Sequence, residues 1–111
     1  MTKVPQPLIG AAYDSLQVVT DRVEQDKQQF MDDPILQDAT LMRIMDAGEH
    51  LSRVRDTFPD FYASHSSHAW DELIGLRNII AHGYLIINYE TVWNIIQEDL
   101  PALIVELEKL V

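Results

Sequence analysis

Apolar residues recur every three or four positions along most of this chain, a period typical of α-helices that bury one face. The pattern predicts four helical segments, at residues 8–30, 32–58, 69–83 and 88–111. No stretch alternates polar and apolar residues for long enough to indicate a β-strand. The sequence therefore predicts an all-α fold, an antiparallel bundle of four to five helices.

Local signals mark the boundaries of these segments. Asp33 followed by a proline is a favourable start for the second helix, and Asn88 is a suitable cap for the fourth. Residues 59–68 are predicted to form a polar connection, and the apolar residues 85–87 a short buried one. Pro101 lies inside the fourth segment and is expected to kink it, since proline lacks a backbone donor.

Length and charge limit the classes of protein to consider. A chain of 111 residues is sufficient for one domain, which we expect to span residues 1–111. The formal net charge of −10 argues against a general nucleic-acid coat protein. The charge is uneven, however, because all four histidines and half of the eight basic residues lie between positions 43 and 82. These basic residues are Arg43, Arg53, Arg55 and Arg77.

The chain has no cysteine, which excludes disulfides and thiolate chemistry and fits a cytoplasmic location. Its first residues lack the apolar core of a signal peptide, and no apolar run is long enough to predict a membrane span. We therefore expect a cytoplasmic protein that does not enter the membrane.

One short segment, residues 77–84 (Arg-Asn-Ile-Ile-Ala-His-Gly-Tyr), carries side chains suited to phosphate chemistry. Asn78 and His82 lie four residues apart on one helix face, where the amide could orient the imidazole. Arg77 and Tyr84 lie seven apart and share another face if the helix continues that far. Arg77 and His82 are separated by about 140° around the helix axis. They could converge on one ligand only across the helix end, or with help from a second copy of the segment.

The chemistry of these side chains suits RNA cleavage without a metal. Histidine can give or take a proton near neutral pH, and arginine can stabilise charge that develops on a phosphate. RNA supplies its own nucleophile, the 2′-hydroxyl. From spacing alone, a structural role for Arg77 and His82 is still favoured, because cations stabilise the C-terminal end of a helix.

The segment resembles the signature of HEPN domains, an arginine followed by a polar residue and, after a short gap, a histidine. The tyrosine two residues past the histidine resembles the HepT-like toxin branch. Residues 46–49 (Asp-Ala-Gly-Glu) resemble that branch's Ile-Gly-Glu-Ala stretch, and residues 70–76 resemble its approach to the arginine. Residues 88–101 resemble its last helix. The similarity covers the chain from about Phe30 to the C-terminus.

This resemblance implies a metal-independent endoribonuclease toxin in which Arg77 and His82 are catalytic and Asn78 supports them. It implies a homodimer whose two segments face one shared cleft. It also implies a partner, a minimal nucleotidyltransferase antitoxin that transfers AMP onto Tyr84, where the added phosphate and base would block RNA. We expect no cofactor and no metal.

Three further charged residues are candidates for this site. Glu49 could pair with Arg77 or His82 across the bundle, and the alternative is an exposed surface carboxylate. Arg53 and Arg55 could contact RNA, and it is equally consistent with the sequence that they are solvated charges near a helix C-terminus.

The other three histidines could suggest a metal site, but their spacing matches no zinc pattern and no cysteine assists them. A solvated, structural or RNA-contacting role is the preferred interpretation for all three. They are His50, His65 and His68.

Two other functions remain open at the level of sequence. A non-catalytic HEPN module could use Arg77 and His82 to hold a nucleotide or a nucleotidyltransferase, and the negative net charge mildly favours this alternative. A plain dimerising helical bundle is the other, and it predicts that Arg77→Ala changes stability only.

Overall fold

The computed structural model describes residues 4–23, 25–83 and 86–111. Within these ranges the chain forms seven α-helices and no β-strand, so the all-α prediction is confirmed. None of these helices is long and apolar enough to cross a lipid bilayer. The helices are α1 (Gln6–Arg22), α2 (Lys27–Asp32), α3 (Pro34–Thr57), α4 (Pro59–His65), α5 (His68–His82), α6 (Tyr89–Glu98) and α7 (Leu100–Leu110).

The two long helices α1 and α3 form the centre of the bundle and pack along each other more extensively than any other pair. Each buries an apolar stripe, with Leu16 of α1 and Ile44 and Leu51 of α3 fully buried. Trp70, near the start of α5, is the largest fully buried side chain in the described ranges. α5, which carries Arg77 and His82, also packs against α3. The candidate residues of this helix are therefore held against the central helix of the core.

The contacts between α3 and α5 show that these helices run antiparallel. Met42 of α3 borders the same groove as Ile80 of α5, whereas Gly48, farther along α3, lies against Arg77. Residue numbers therefore rise along one helix as they fall along the other. This arrangement places Arg77 beside the middle of α3.

Two predicted helix starts are confirmed. The carboxylate of Asp33 accepts a hydrogen bond from the backbone N–H of Leu36 at 3.0 Å, and a proline occupies the first turn of α3. The side-chain oxygen of Asn88 accepts from the backbone N–H groups of Glu90 and Thr91 at the start of α6. Both caps satisfy amide donors that have no partner inside the helix.

The prediction of one helix over residues 8–30 was wrong at its C-terminal end. α1 ends at Arg22, Val23 adopts an extended conformation, and Asp26 caps a separate short helix by accepting from the backbone N–H of Gln29 at 3.1 Å. Phe30, the last apolar residue of the predicted stripe, lies in that second helix and is buried against the rings of Tyr89 and Trp93.

The connection predicted at residues 59–68 contains a helix, α4, which begins at Pro59 and buries Tyr62. The predicted kinked helix at 88–111 is two helices that meet at Asp99. Pro101 lies in the first turn of α7, where the missing N–H needs no partner. The proline is therefore part of a helix start and does not interrupt a helix.

The short connection at residues 85–87 was predicted to be buried; this was wrong for Ile86, and Leu85 lies outside the described residues. The side chain of Ile86 is 76% exposed. It lies across Gly83, where an added Cβ would come within 2.7 Å of the Ile86 Cγ1 atom. A side chain at position 83 would therefore displace Ile86 from the end of α5.

Candidate active site

The candidate site forms where α5 crosses the middle of α3, and a glycine makes the crossing close. A Cβ atom added to Gly48 would lie 2.4 Å from the Cβ of Arg77 and 2.8 Å from its Cγ. The stem of Arg77 therefore rests directly on the backbone of α3. This role of Gly48 was not predicted from the sequence. The available signal was a glycine within the interior of a long helix, where glycine costs about 1 kcal/mol relative to alanine.

The guanidinium group of Arg77 is held by two neighbours. Its Nη2 donates to Oε2 of Glu49 at 2.7 Å, and its Nη1 donates to Oδ1 of Asn78 at 3.1 Å. Its Nε is buried and has no hydrogen-bond partner in the described part of the chain. The Arg77 side chain is 29% exposed, so the stem is enclosed while part of the head group can still reach a ligand.

Glu49 pairs with Arg77, one of the two partners that the sequence suggested, and it also binds Arg53. Oε1 of Glu49 accepts from Nε of Arg53 at 3.3 Å, one helical turn away. One carboxylate thus bridges two guanidinium groups. Two arginines and one glutamate give these three side chains a formal charge of +1, whereas the whole chain carries −10.

The structure separates the two arginines that were candidates for RNA contact. Arg53 joins Arg77 through Glu49, whereas Arg55 pairs with Asp56 at 3.3 Å. Arg55 also lies close enough to Tyr62 of α4 to influence that phenol electrostatically. Two positions along a helix differ by about 200° around its axis, which explains the separation.

The expected orientation of His82 by Asn78 is not what the structure shows. The Asn78 amide oxygen accepts from Arg77, and no hydrogen bond between Asn78 and His82 forms within the described ranges. His82 is exposed as the last residue of α5, and Gly83 follows it as the C-terminal cap. Asn78 therefore helps to hold the guanidinium group of Arg77 and does not contact the imidazole of His82 through a hydrogen bond in the described part of the chain. Tyr84, the expected AMP acceptor, lies outside the described residues.

A second polar contact fixes α3 beside the site. The buried hydroxyl of Ser15 donates to the carboxylate of Asp46, and Nδ1 of His50 lies 2.8 Å from the backbone oxygen of Asp46. The Ser15 contact links α1 to α3 just before Gly48, whereas the His50 contact lies within α3, one helical turn after Asp46. No local pattern indicates the Ser15 contact, because Ser15 and Asp46 are 31 positions apart.

The start of α5 is also fixed by polar contacts. Oε2 of Glu106 accepts from the indole nitrogen of Trp70 at 2.9 Å, and its Oε1 accepts from Ser67 at 3.0 Å. The hydroxyl of Tyr62 donates to Asp71 at 2.6 Å. Burial, which is the larger cause, and this hydrogen bond both raise the pKa of Tyr62 above its ordinary value. α5 is therefore held at one end while its other end presents His82.

This arrangement can bind and polarise a phosphate. Arg77 has five N–H donors, of which Glu49 and Asn78 engage two, and His82 offers an imidazole to solvent. Within the described residues, no group of three or more histidine, aspartate or glutamate side chains could hold a metal ion. The groups present are suited to electrostatic stabilisation and proton transfer.

Comparison with known proteins gives the family. A family profile described as "Ribonuclease HepT-like" matches residues 12–110. The chain is 30% identical over 100 residues to "Putative RNase MJ1380" of Methanocaldococcus jannaschii, covering 86% of this chain and 89% of the relative. It is 29% identical over 102 residues to "Putative RNase TTE0752" of Caldanaerobacter subterraneus, covering 91% and 88%. No solved structure gives a significant match. The chain belongs to the HepT-like ribonuclease family.

Proposed function

We propose that this protein is a metal-independent endoribonuclease that acts through Arg77 and His82. The observation that carries the proposal is the fixed guanidinium of Arg77 on the same helix as an exposed His82. The two positions are about 7.5 Å apart along the axis and about 140° apart around it. The family match supports RNA as the substrate class.

The reaction uses only groups of the protein and the RNA. The 2′-hydroxyl attacks the adjacent phosphorus, so a 2′-oxygen–phosphorus bond forms and the bond to the 5′-oxygen breaks. A base takes the proton of the 2′-hydroxyl, and an acid gives a proton to the departing 5′-oxygen. His82 fills one of these roles, and Arg77 stabilises the additional negative charge on the phosphate. The products are a cyclic phosphate and a 5′-hydroxyl.

A homodimer belongs to this proposal, because one copy of α5 separates its arginine from its histidine. Exposed apolar side chains surround this end of the helix, with Met42 72% exposed on α3 and Ile86 76% exposed after α5. Such a patch favours contact with another protein surface. A second copy would bring its own His82 to the shared cleft and supply the second proton-transfer group.

Toxicity and its neutralisation form the last part of the proposal. Uncontrolled RNA cleavage would stop growth, and a minimal nucleotidyltransferase would neutralise the protein by transferring AMP onto Tyr84, two residues beyond His82. Incubation of the purified chain with that enzyme and ATP should add the mass of one AMP group, and peptide mass spectrometry should locate it on Tyr84. An unchanged mass with an enzyme that is active on another substrate would contradict this step.

RNA cleavage by purified variants tests the catalytic claim. His82→Ala and Arg77→Ala should lower the cleavage rate by at least about 100-fold, because each removes a group that acts in the transition state. His68→Ala is the matched control, since it removes an exposed histidine from the same helix about 21 Å away. Equal cleavage by wild type and His82→Ala would overturn the proposal. Intact RNA that nevertheless binds tightly would favour the non-catalytic module.

A further inference from the structure

The closest backbone approach that a glycine permits in the described chain occurs at the candidate site. The Cβ that an alanine would add at Gly48 falls 2.4 Å from the Cβ of Arg77, nearer than two carbon atoms can come without a shift. The next atom, Arg77 Cγ, is 2.8 Å away. Both partners are in helices, and rotation of the arginine side chain does not move its Cβ, so the conflict could be relieved only by moving α3 and α5 apart.

The residue after Gly48 fixes the other end of the same side chain. Glu49 accepts from Nη2 of Arg77 at 2.7 Å, and the backbone oxygen of Leu73, one turn before Arg77, lies 3.4 Å from the same added Cβ. The glycine thus determines how close the stem lies to α3, and the glutamate determines where the charged head points. Two successive residues constrain the arginine from Cβ to Nη2.

We infer that Gly48 and Glu49 form a seat for Arg77 and are positioning residues for RNA cleavage. This inference rests on the proposed function, in which Arg77 stabilises the phosphate in the transition state. Such stabilisation depends on geometry, because a shift of about 1 Å in a catalytic group can cost about 100-fold in rate. The seat keeps the stem enclosed, so that the guanidinium meets the phosphate without searching many rotamers.

Gly48→Ala tests the seat, and the chain offers a matched control. Gly75 is also inside a helix, and a Cβ added there meets no atom within 4 Å. We expect Gly48→Ala to lower kcat by about 100-fold, with little change in KM, because RNA binding elsewhere is retained. Gly75→Ala should keep the wild-type kcat. Wild-type kcat in Gly48→Ala would overturn the inference.

Substitution of Glu49 tests the same seat without adding an atom. Glu49→Ala removes the acceptor and should lower kcat, whereas Glu49→Gln keeps an oxygen acceptor for Nη2 and should recover part of the loss. If Glu49 only stabilised the fold, variants with the same unfolding midpoint would have the same kcat. A lower kcat in Glu49→Ala than in Glu49→Gln at equal unfolding midpoints would therefore indicate a positioning role. Equal kcat values for Glu49→Ala and wild type would count against the seat.

A spectroscopic measurement keeps the inference separate from the activity. The buried Nε–H of Arg77 should give a slowly exchanging side-chain resonance in ¹⁵N NMR spectra, assigned by its absence in Arg77→Lys. Gly48→Ala and Glu49→Ala should shift or broaden it, and Gly75→Ala should not. If wild type cuts no RNA while these shifts occur, the proposed function fails and the seat stands. An unshifted resonance in Gly48→Ala overturns the seat even if wild type cleaves RNA.

Discussion

At the scale of single residues, Glu49 determines how much positive charge the site offers to a phosphate. It binds Arg77 at 2.7 Å and Arg53 at 3.3 Å. The pair with Arg53 is exposed on both sides and is worth less than about 1 kcal/mol, so Arg53 can leave Glu49 for another anion at little cost. Arg77 is more enclosed and stays in place. The two arginines therefore have different capacities to follow an RNA strand.

This difference predicts separate effects of Arg53 and Arg55 on RNA binding. With cleavage blocked by His82→Ala, Arg53→Ala should reduce the slope of log affinity against log salt by about 0.7, the value for one phosphate contact on a single strand. Arg55→Ala should leave the slope unchanged, because Arg55 pairs with Asp56 and lies near α4. Fluorescence anisotropy with a labelled single-stranded RNA would measure both slopes. Equal slopes for the two variants would contradict the assignment.

Tyr62 gives a prediction about pH and stability. Its pKa is raised by burial and by its bond to Asp71, so the folded state favours the protonated phenol. The resulting stability is fully present below pH 10.0, the ordinary tyrosine pKa, and is lost as pH rises toward the folded pKa. Tyr62→Phe should cost about 1 kcal/mol at neutral pH, and this cost should shrink at alkaline pH. Urea unfolding on both sides of pH 10.0 would show whether the difference shrinks or stays constant.

At the scale of elements, local caps were predictable and helix breaks were not. The cap at Asp33 is encoded within four residues, so the sequence is sufficient to locate it. The break after Arg22 is hidden because Val23 and Phe30 are both buried and continue one apolar stripe across it. Apolar periodicity indicates which face is buried, and it does not indicate whether the helix axis continues.

The candidate site was predictable only in part, for a related reason. Arg77 and His82 could be identified from one segment and its resemblance to a family. The pairing of Arg77 with Glu49 joins residues 28 positions apart, and the sequence left Arg77 and His82 open as partners of this carboxylate. The role of Gly48 depends on the distance between two helices, which no local pattern contains. The amide oxygen of Asn78 contacts Arg77, a contact that the four-residue spacing to His82 did not indicate.

The cap of α3 yields a prediction at this scale. Asp33→Ala should lower the free energy of unfolding by about 1 kcal/mol, since the backbone N–H of Leu36 loses its acceptor. Asp32→Ala removes the same charge one position earlier, where the side chain is exposed, and should change it by less than about 0.5 kcal/mol. Chemical denaturation of both variants would separate a loss of capping from a change of net charge. Similar losses in both would show that the cap contributes little.

At the scale of the whole molecule, an apolar region of the described surface borders the candidate site on the α3 side. Met42 and Ile35 project from α3 and are 72% and 82% exposed, and Met42 borders a groove of about 330 Å³ that Ile80 also lines. The groove lies beside the C-terminal half of α5, which carries Arg77 and His82. A second copy seated there would cover the apolar side chains and bring two copies of α5 together.

We expect Met42→Glu to turn a dimer into a monomer, because it places a charge on the surface that the second copy would cover. Val105→Glu is the matched control, since Val105 is half exposed on α7. Sedimentation velocity would measure the oligomeric state of both variants, and Val105→Glu should remain a dimer. A dimer that persists in Met42→Glu would show that the two copies meet at another surface.

Mixing two inactive variants would test whether the cleft is shared. Arg77→Ala and His82→Ala, refolded together, form mixed dimers in which one copy supplies the arginine and the other the histidine. If the groups act across the interface, the mixture should recover a fraction of the wild-type rate that neither variant has alone. The same mixture made in the Met42→Glu background should stay inactive. No recovery, with mixed dimers present, would mean that Arg77 and His82 act within one subunit, and the 140° separation would then have to be closed by the RNA bending around the end of α5.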